Sequence, residues 1–177
     1  MGSSRGRCSK YRSTDRSHLL TAAGFSTALA AFTGQNYGAG NYERIRKGYR
    51  LTLGIAGSIG LGAGILFFVL NHEIFGLFVN EPEAIEAGGN YLKILALSQL
   101  FMVTESVTAG AFNGTGHTTP PALTGIIFTG ARIPMAYFLT SFPQLGLTGI
   151  WWSITISSIL KGSVLPLWFL HFQRKLK

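Results

Sequence analysis

Four stretches of this chain carry no Asp, Glu, Lys or Arg, and each is long enough to cross a lipid bilayer as a helix. The stretches are Ser17–Tyr42, Leu51–His72, Ser106–Ala131 and Ile133–Leu160. About 20 mainly apolar helical residues span a hydrocarbon core of roughly 30 Å, whereas the mean helix of soluble proteins has about 11–12 residues. The pattern therefore predicts an all-α fold, a polytopic transmembrane bundle of about five helices, which crosses the lipid bilayer of the cell membrane several times.

The composition agrees with a membrane protein and excludes two other classes. Charged residues make up 12% of the chain and hydrophobic residues 47%, whereas charged residues are about 25% of an average soluble domain. This composition excludes a disordered chain. The net charge of +8 suits nucleic-acid binding, but most cations cluster between apolar stretches instead of alternating with aromatic residues. Because that arrangement is typical of cytoplasmic membrane loops, we predict no nucleic-acid partner.

Hydrophobic runs and helix-breaking residues together predict the bounds of the five helices. The helices are Leu19–Tyr37, Leu51–Leu70, Tyr91–Asn113, Ala122–Ser141 and Leu147–Phe172. The first is rich in Ala, Gly, Ser and Thr, so it is predicted to face other helices rather than lipid. Pro134 and Pro166 fall inside the last two, where packed membrane helices tolerate proline. Residues 1–18 are predicted to be a basic polar tail outside the fold, 19–172 the transmembrane bundle, and 173–177 a basic cytoplasmic tail.

Three Gly-xxx-Gly pairs occur on three of these helices. They are Gly34/Gly38, Gly60/Gly64 and Gly110/Gly114. Such pairs allow helix backbones to approach closely in a membrane. Because the chain has 23 glycines, the same spacing also arises by chance, and both explanations remain open.

Loop charges predict which helix ends share a side of the membrane. The segment Arg44–Arg50 and the C-terminal tail are rich in Lys and Arg, so both are predicted to be cytoplasmic. The connection between the second and third helices contains Glu73, Glu81, Glu83 and Glu86 but no Lys or Arg. Four predicted helices separate the two basic segments, and this even number returns the chain to the same side. One helix separates Arg44–Arg50 from the acidic connection, which is therefore predicted to lie outside.

The N-terminal tail conflicts with that topology, because residues 1–18 are also basic and would lie outside. One explanation is a signal peptide, with Leu19–Phe32 as its apolar core and Ala28-Leu-Ala30 as its cleavage site. The explanation that we favour is that the chain lacks an upstream helix and that residues 1–18 are foreign to the fold.

The sequence contains no pattern that indicates catalysis or a bound metal. Its four histidines are far apart, with no Cys or carboxylate at metal-ligand spacing. It has no Gly-Lys-Ser/Thr phosphate loop and no serine in a nucleophile elbow. We therefore predict that the chain is not an enzyme and that it needs no metal or organic cofactor.

Three motifs give the chain a family resemblance. The first is Gly34-Gln-Asn-Tyr-Gly-Ala-Gly-Asn41 with the basic Tyr42–Lys47, the second is Ala109–Thr118 with Pro120-Pro121, and the third is Ala131–Tyr137. In order and spacing, the three motifs resemble the second half of the multidrug and toxic compound extrusion (MATE) transporters. The resemblance covers about Ala22 to Phe172.

The resemblance implies that the chain is the second lobe, helices 8–12, of a twelve-helix antiporter in which two lobes surround a central cavity. Such a transporter exports drugs or organic cations in exchange for Na⁺ or H⁺. Because the first lobe and the opening helix of the second are absent, the resemblance implies a truncated C-terminal half. Its partner would be the missing N-terminal lobe or a second chain, and the missing helix would also remove the conflict over the N-terminal tail.

Glu105, Arg132 and Lys161 are charged residues inside predicted helices, where charge is costly and is usually functional or paired. At 1.5 Å per residue they lie roughly 12, 15 and 16 Å from the cytoplasmic ends of their helices. Either cation is therefore at the right depth to pair with Glu105. Within the resemblance, a carboxylate on this helix fits the family's second-lobe cation site.

We interpret Glu105 as the coupling residue, because a carboxylate can bind a proton or Na⁺ in alternation with a substrate. The alternative is a permanent ion pair that only fixes helix packing. The residues predicted to line the substrate cavity are Gln35, Asn36, Phe101, Met102, Thr108 and Tyr137. For Gln35 and Asn36, hydrogen bonding to the backbone near helix ends is an alternative role.

Two other functions remain open. One is a small, non-transporting multipass membrane protein that packs against a partner, and the other is a flippase for lipid-linked saccharides from the related superfamily. Restoring the missing helices would produce drug efflux for the transporter and no effect for the packing protein. The flippase differs in its substrate.

Overall fold

The chain is helical almost throughout in a computed structural model that describes residues 23–77, 81–141 and 148–176. Residues 23–38 form α1. The other helices are α2 (Tyr42–Val69), α3 (Asn71–Gly76), α4 (Pro82–Gly114), α5 (Thr119–Gly130), α6 (Arg132–Thr140) and α7 (Thr148–Lys175). No strand occurs in the described ranges, which confirms the all-α prediction. The predicted tail of residues 1–18, residues 19–22 of the first predicted helix, residue 147 and residue 177 lie outside those ranges.

Four helical spans in the described part of the chain are long and apolar enough to cross a membrane. They are α2, the Ile85–Gly114 part of α4, the combined α5 and α6 span Thr119–Thr140, and α7. They correspond to the second to fifth predicted helices, and α1 corresponds to the first. The predicted bundle of transmembrane helices is therefore confirmed.

Two helices begin earlier than the charge pattern predicted. α2 begins at Tyr42 rather than Leu51, and α4 begins at Pro82 rather than Tyr91. The prediction began each helix where its main apolar run begins, but a helix extends beyond the hydrocarbon when its polar residues reach water. In α2 the first turns carry an exposed Lys47–Glu43 ion pair of 2.8 Å with i, i+4 spacing. Pro82 suits the first helical turn because no partner is needed there for its missing N–H.

The fourth predicted helix, Ala122–Ser141, corresponds to the apolar span Thr119–Thr140, but the span is interrupted at one residue. The structure divides it into α5 and α6, which meet at Ala131. The cause is Pro134, which has no N–H to donate to the Gly130 carbonyl and whose ring crowds that carbonyl. The break places Arg132 at the first residue of α6.

Small residues set the helix contacts around α4, which packs extensively against both α2 and α7. A Cβ atom at Gly110 or Gly114 would overlap Ser26 or Ala30 of α1, and one at Gly64 would lie 3.0 Å from the Ala96 carbonyl of α4. The Gly60/Gly64 and Gly110/Gly114 pairs therefore do mediate close packing. α1 faces α4, as its small residues predicted.

The surface is largely apolar, and the interior contains small polar side chains alongside its apolar core, which differs from the usual pattern of soluble proteins. Large apolar side chains such as Leu51, Ile126 and Ile133 are exposed, whereas α7 buries Ser153, Thr155, Ser157 and Ser158. Exposed apolar surface of this extent is stable where the surrounding solvent is hydrocarbon, and small polar residues are typical of contacts between membrane helices. The pattern indicates a multipass membrane protein.

The two basic segments that the sequence placed on one side lie at the same end of the bundle. Nη2 of Arg46, near the start of α2, donates hydrogen bonds to the carbonyls of Gln173 and Leu176, at 2.6 and 2.9 Å. The Tyr49 and Phe169 rings pack next to this contact, with centroids 4.7 Å apart. At the opposite end, Tyr91 of α4 contacts Trp151 of α7. That this basic end is cytoplasmic stays a prediction.

Candidate cation-binding site

An ion pair between α4 and α7 lies within the membrane spans. Lys161 Nζ is 3.4 Å from Glu105 Oε1, and the side chains are 10% and 27% exposed, respectively. Of the two partners that depth allowed for Glu105, the structure therefore selects Lys161. The carboxylate is the more accessible member of the pair.

Arg132 binds to hydroxyl groups on α7. Its Nε donates to Ser157 Oγ at 2.5 Å, and its Nη2 donates to Ser158 Oγ at 3.1 Å. The Ser157 hydroxyl in turn donates to the Ile154 carbonyl at 2.9 Å. Ser157 and Ser158 lie one helical turn before Lys161, so the same part of α7 contacts α6 through the serines and α4 through the lysine. We call Glu105, Arg132, Ser157, Ser158 and Lys161 the polar layer.

The α4 backbone approaches α7 closely beside the ion pair. Gly162 lies against the Phe101 carbonyl, where any Cβ atom would overlap the α4 backbone. Two turns along α7, Thr155 Oγ1 donates to the Ile94 carbonyl of α4 at 3.2 Å. A glycine and a backbone hydrogen bond therefore hold the helices together here, in addition to the charges.

Two predicted cavity residues, Phe101 and Met102, lie about one turn from Glu105 on α4. Phe101 is half-buried against Gly162. Met102 is 42% exposed, and its sulfur lies 3.9 Å from the Ser98 hydroxyl. Phe101 and Met102 precede Glu105 by four and three residues, so they share a side of α4 with the carboxylate.

Thr108 follows Glu105 by three residues on α4, but its side chain lies in the packed core. Its hydroxyl donates to the Thr104 carbonyl at 2.7 Å and accepts a hydrogen bond of 2.9 Å from the buried Tyr49 hydroxyl. Both side chains are almost completely buried. In this structure Thr108 therefore links α4 to α2.

Gln35 and Asn36 lie near the end of α1, away from the polar layer. Gln35 is exposed, whereas the buried Asn36 donates from Nδ2 to the Phe32 carbonyl of its own helix at 2.8 Å. The adjacent Gly34 contacts Gly114, which is roughly 13 Å along α4 from Glu105 at 1.5 Å per residue. Asn36 thus has the backbone-bonding role that was its alternative.

Tyr137, the last predicted cavity residue, lies on α6 and is 79% exposed. Its backbone carbonyl accepts hydrogen bonds from the hydroxyls of Thr140 and Ser141. It lies on the same short helix as Arg132, beyond Pro134.

Sequence reasoning missed Ser157, Ser158 and Gly162. The run Ser153-Ile-Thr155-Ile-Ser157-Ser158 was the available signal, because clustered hydroxyls in an apolar helix indicate a side that faces protein rather than lipid. Lys161 and Gly162 continue that side. A lysine one turn after two serines indicates a polar contact, but it does not indicate which helix supplies the partner.

The described residues contain no group of three or more His, Cys, Asp or Glu side chains close enough to hold a metal ion. Divalent ions such as Ca²⁺ use six or more oxygen ligands, and Zn²⁺ uses several protein ligands. Around Glu105, the described residues supply no such set of ligands.

The comparisons with known proteins agree with this architecture. A family model described as MatE matches residues 14–138. The chain is 33% identical over 157 residues to the probable multidrug resistance protein NorM of Thermotoga maritima. The aligned region covers 86% of this chain and 33% of that protein. It is 24% identical over 144 residues to the human multidrug and toxin extrusion protein 1. That aligned region covers 81% of this chain and 25% of the human protein.

The fold resembles part of a solved transporter structure. An outward-facing multidrug resistance MATE family transporter of the MOP superfamily aligns with a TM-score of 0.85 at 22% identity, over 97% of this chain and 39% of that protein. This chain spans about a third of the length of the NorM relative. The family match over most of its residues and the four apolar spans show that this multipass membrane protein belongs to the MatE family, the MATE transporters.

Proposed function

We propose that this chain is the second lobe of a secondary antiporter that exports drugs or organic cations in exchange for Na⁺ or H⁺. The observation that carries the proposal is the position of Glu105 within the span Ile85–Gly114, with its side chain 27% exposed. An ionisable side chain inside a membrane span is costly, and it marks an ion or substrate pathway in many transporters. The NorM and human relatives are named for multidrug resistance and extrusion, which supports the same function here.

Glu105 is the coupling residue in this proposal. One bound cation neutralises the carboxylate, and it repels a second cation at the same site. A coupling ion and a cationic substrate therefore exclude each other. Exchange follows because binding of one cation releases the other. Phe101 and Met102 supply apolar, adaptable contacts beside the charge, which suits organic cations of varied shape.

The export pathway in this proposal needs a first lobe. The chain spans about a third of the NorM relative, and a single lobe does not enclose a cavity between two lobes. The first lobe is supplied either by the same polypeptide or by a second chain. Na⁺ and H⁺ both remain candidates for the coupling ion.

The test is export of a cationic dye by efflux-deficient cells that express a full-length transporter with this chain as its second lobe. Glu105→Gln removes the charge with little change in volume, and the proposal expects at least a tenfold loss of export at unchanged membrane abundance. Glu73→Gln, on α3, is the control and should export normally. Unchanged export by Glu105→Gln would reject Glu105 as the coupling residue, and absence of export by the unmodified transporter would reject the function.

A further inference from the structure

We propose that the Lys161 ammonium group is a tethered competitor for the cation site at Glu105. In the empty lobe it neutralises the carboxylate, and a Na⁺ ion or an organic cation binds by displacing it. This inference rests on the proposed function and assigns to a residue on α7 the control of cation affinity.

The two charged side chains differ in accessibility. Lys161 is 10% exposed and Glu105 is 27% exposed, and Met102 beside Glu105 is 42% exposed. Lys161 is therefore the packed member of the pair, and part of the Glu105 side chain is accessible while it is paired with Lys161. A second cation can approach Glu105 without separating the helices.

The packing of α4 against α7 does not depend on the ion pair. Gly162 lies against the Phe101 carbonyl on one side of the pair, and Phe112 packs against Phe169 with centroids 4.8 Å apart further along. Thr155 bonds to the Ile94 carbonyl on the other side. Since these contacts keep the helices in place, the Lys161 side chain can leave Glu105 with a change of side-chain rotamer alone.

The polar layer also carries an excess of positive charge. It contains two cations and one carboxylate, and Arg132 is held by two serine hydroxyls on α7. A third cation that entered beside an undisplaced Lys161 would be repelled by both resident cations. The Nζ–Oε1 distance of 3.4 Å is longer than the 2.7–2.9 Å or so of a tight charged hydrogen bond. Lys161, on its flexible four-carbon stem, is thus the displaceable member.

The test is equilibrium binding of Na⁺ and of tetraphenylphosphonium to the full chain in phosphatidylcholine nanodiscs. Lys161→Gln removes the competing charge, and we expect at least one probe to bind about tenfold more tightly than to the unmodified chain. Lys161→Met keeps the aliphatic stem and serves the same purpose should the glutamine variant not fold. Lys161→Arg keeps the charge and can pair with the carboxylate through two N–H groups, so it should bind neither probe more tightly than the unmodified chain.

Two controls separate competition from a general change of charge. Arg132→Gln removes an equal charge from the same layer, and its gain in affinity should be well below that of Lys161→Gln. Adding Glu105→Gln to Lys161→Gln should abolish the gain.

Binding that depends on Glu105 but is not tightened by Lys161→Gln or Lys161→Met would overturn the competitor role and leave the proposed function intact. Failure of both Lys161 variants to bind either probe would also overturn it, while the export assay with Glu105→Gln decides the proposed function independently.

Discussion

The contact between α4 and α7 is built in two different ways along its length. At the basic end, Phe112 and Phe169 are fully buried and pack with ring centroids 4.8 Å apart, with Tyr49 of α2 4.7 Å from Phe169. In the middle, the Lys161–Glu105 pair is accessible on its carboxylate side. Close-packed rings have one good arrangement, whereas a carboxylate can exchange one cation for another. In the proposed function, the aromatic end holds the helices in place, and Glu105 in the polar layer beside it exchanges one cationic partner for another.

The largest expected effect is at the aromatic end. Phe169→Ala should lower the free energy of unfolding by about 3 kcal/mol, because it leaves a cavity between α2, α4 and α7. Chemical unfolding in micelles measures the loss. Phe68→Ala on the exposed side of α2 is the matched control and should cost far less. Equal losses from the two variants would mean that the aromatic end does not fix the helices.

Gly162→Leu tests whether the backbone contact holds α4 and α7 together independently of the ion pair. The new side chain overlaps the Phe101 carbonyl, so we expect a loss of about 2 kcal/mol from overpacking. Gly54→Leu on α2 meets open space and should have little effect. A stable Gly162→Leu variant would show that the helices can separate at the polar layer. It would contradict the claim that a backbone contact holds α4 and α7 together there.

Tyr49→Phe sharpens the comparison by removing one hydrogen bond from the aromatic end without a change of shape. The Thr108 hydroxyl loses its 2.9 Å partner, and we expect a cost of about 1 kcal/mol. Thermal unfolding in nanodiscs measures it against Tyr137→Phe, whose ring is exposed. A cost as large as that of Phe169→Ala would mean that polar bonds, rather than ring packing, dominate this end.

The smallest effect is expected from Glu43→Gln at the start of α2. Both side chains of the Lys47–Glu43 pair are largely exposed, and exposed ion pairs contribute little to stability. We expect no measurable change in the thermal unfolding of the chain. A clear loss would show that exposed charges at the basic end support the bundle, which the account attributes to the aromatic rings.

The multipass helical fold was predictable because an uncharged stretch of bilayer length has few other stable structures. Helix ends were not predictable to the same degree. The prediction stopped α2 at the charges near Arg50, although the helix begins at Tyr42. Pro134 was recognised, but from sequence a proline inside a membrane helix is as compatible with continuation as with the break at Ala131.

The charged layer was predictable in depth and not in pairing. Rise per residue placed Glu105, Arg132 and Lys161 at one level, but the direction of each side chain around its helix depends on which helices are neighbours. The structure supplies that direction, with Lys161 on Glu105 and Arg132 on Ser157 and Ser158. The cavity predictions had the same limit, since Thr108 shares a side of α4 with Glu105 and yet is buried against Tyr49.

The most direct test of the contrast is a pair of double-mutant cycles on the full chain, each measured with and without a saturating cation that binds the lobe. One cycle joins Glu105 and Lys161, and the other joins Tyr49 and Phe169. The account predicts that the cation removes most of the coupling energy between Glu105 and Lys161 and leaves the aromatic coupling unchanged. A Glu105–Lys161 coupling that is the same with and without the cation would contradict it.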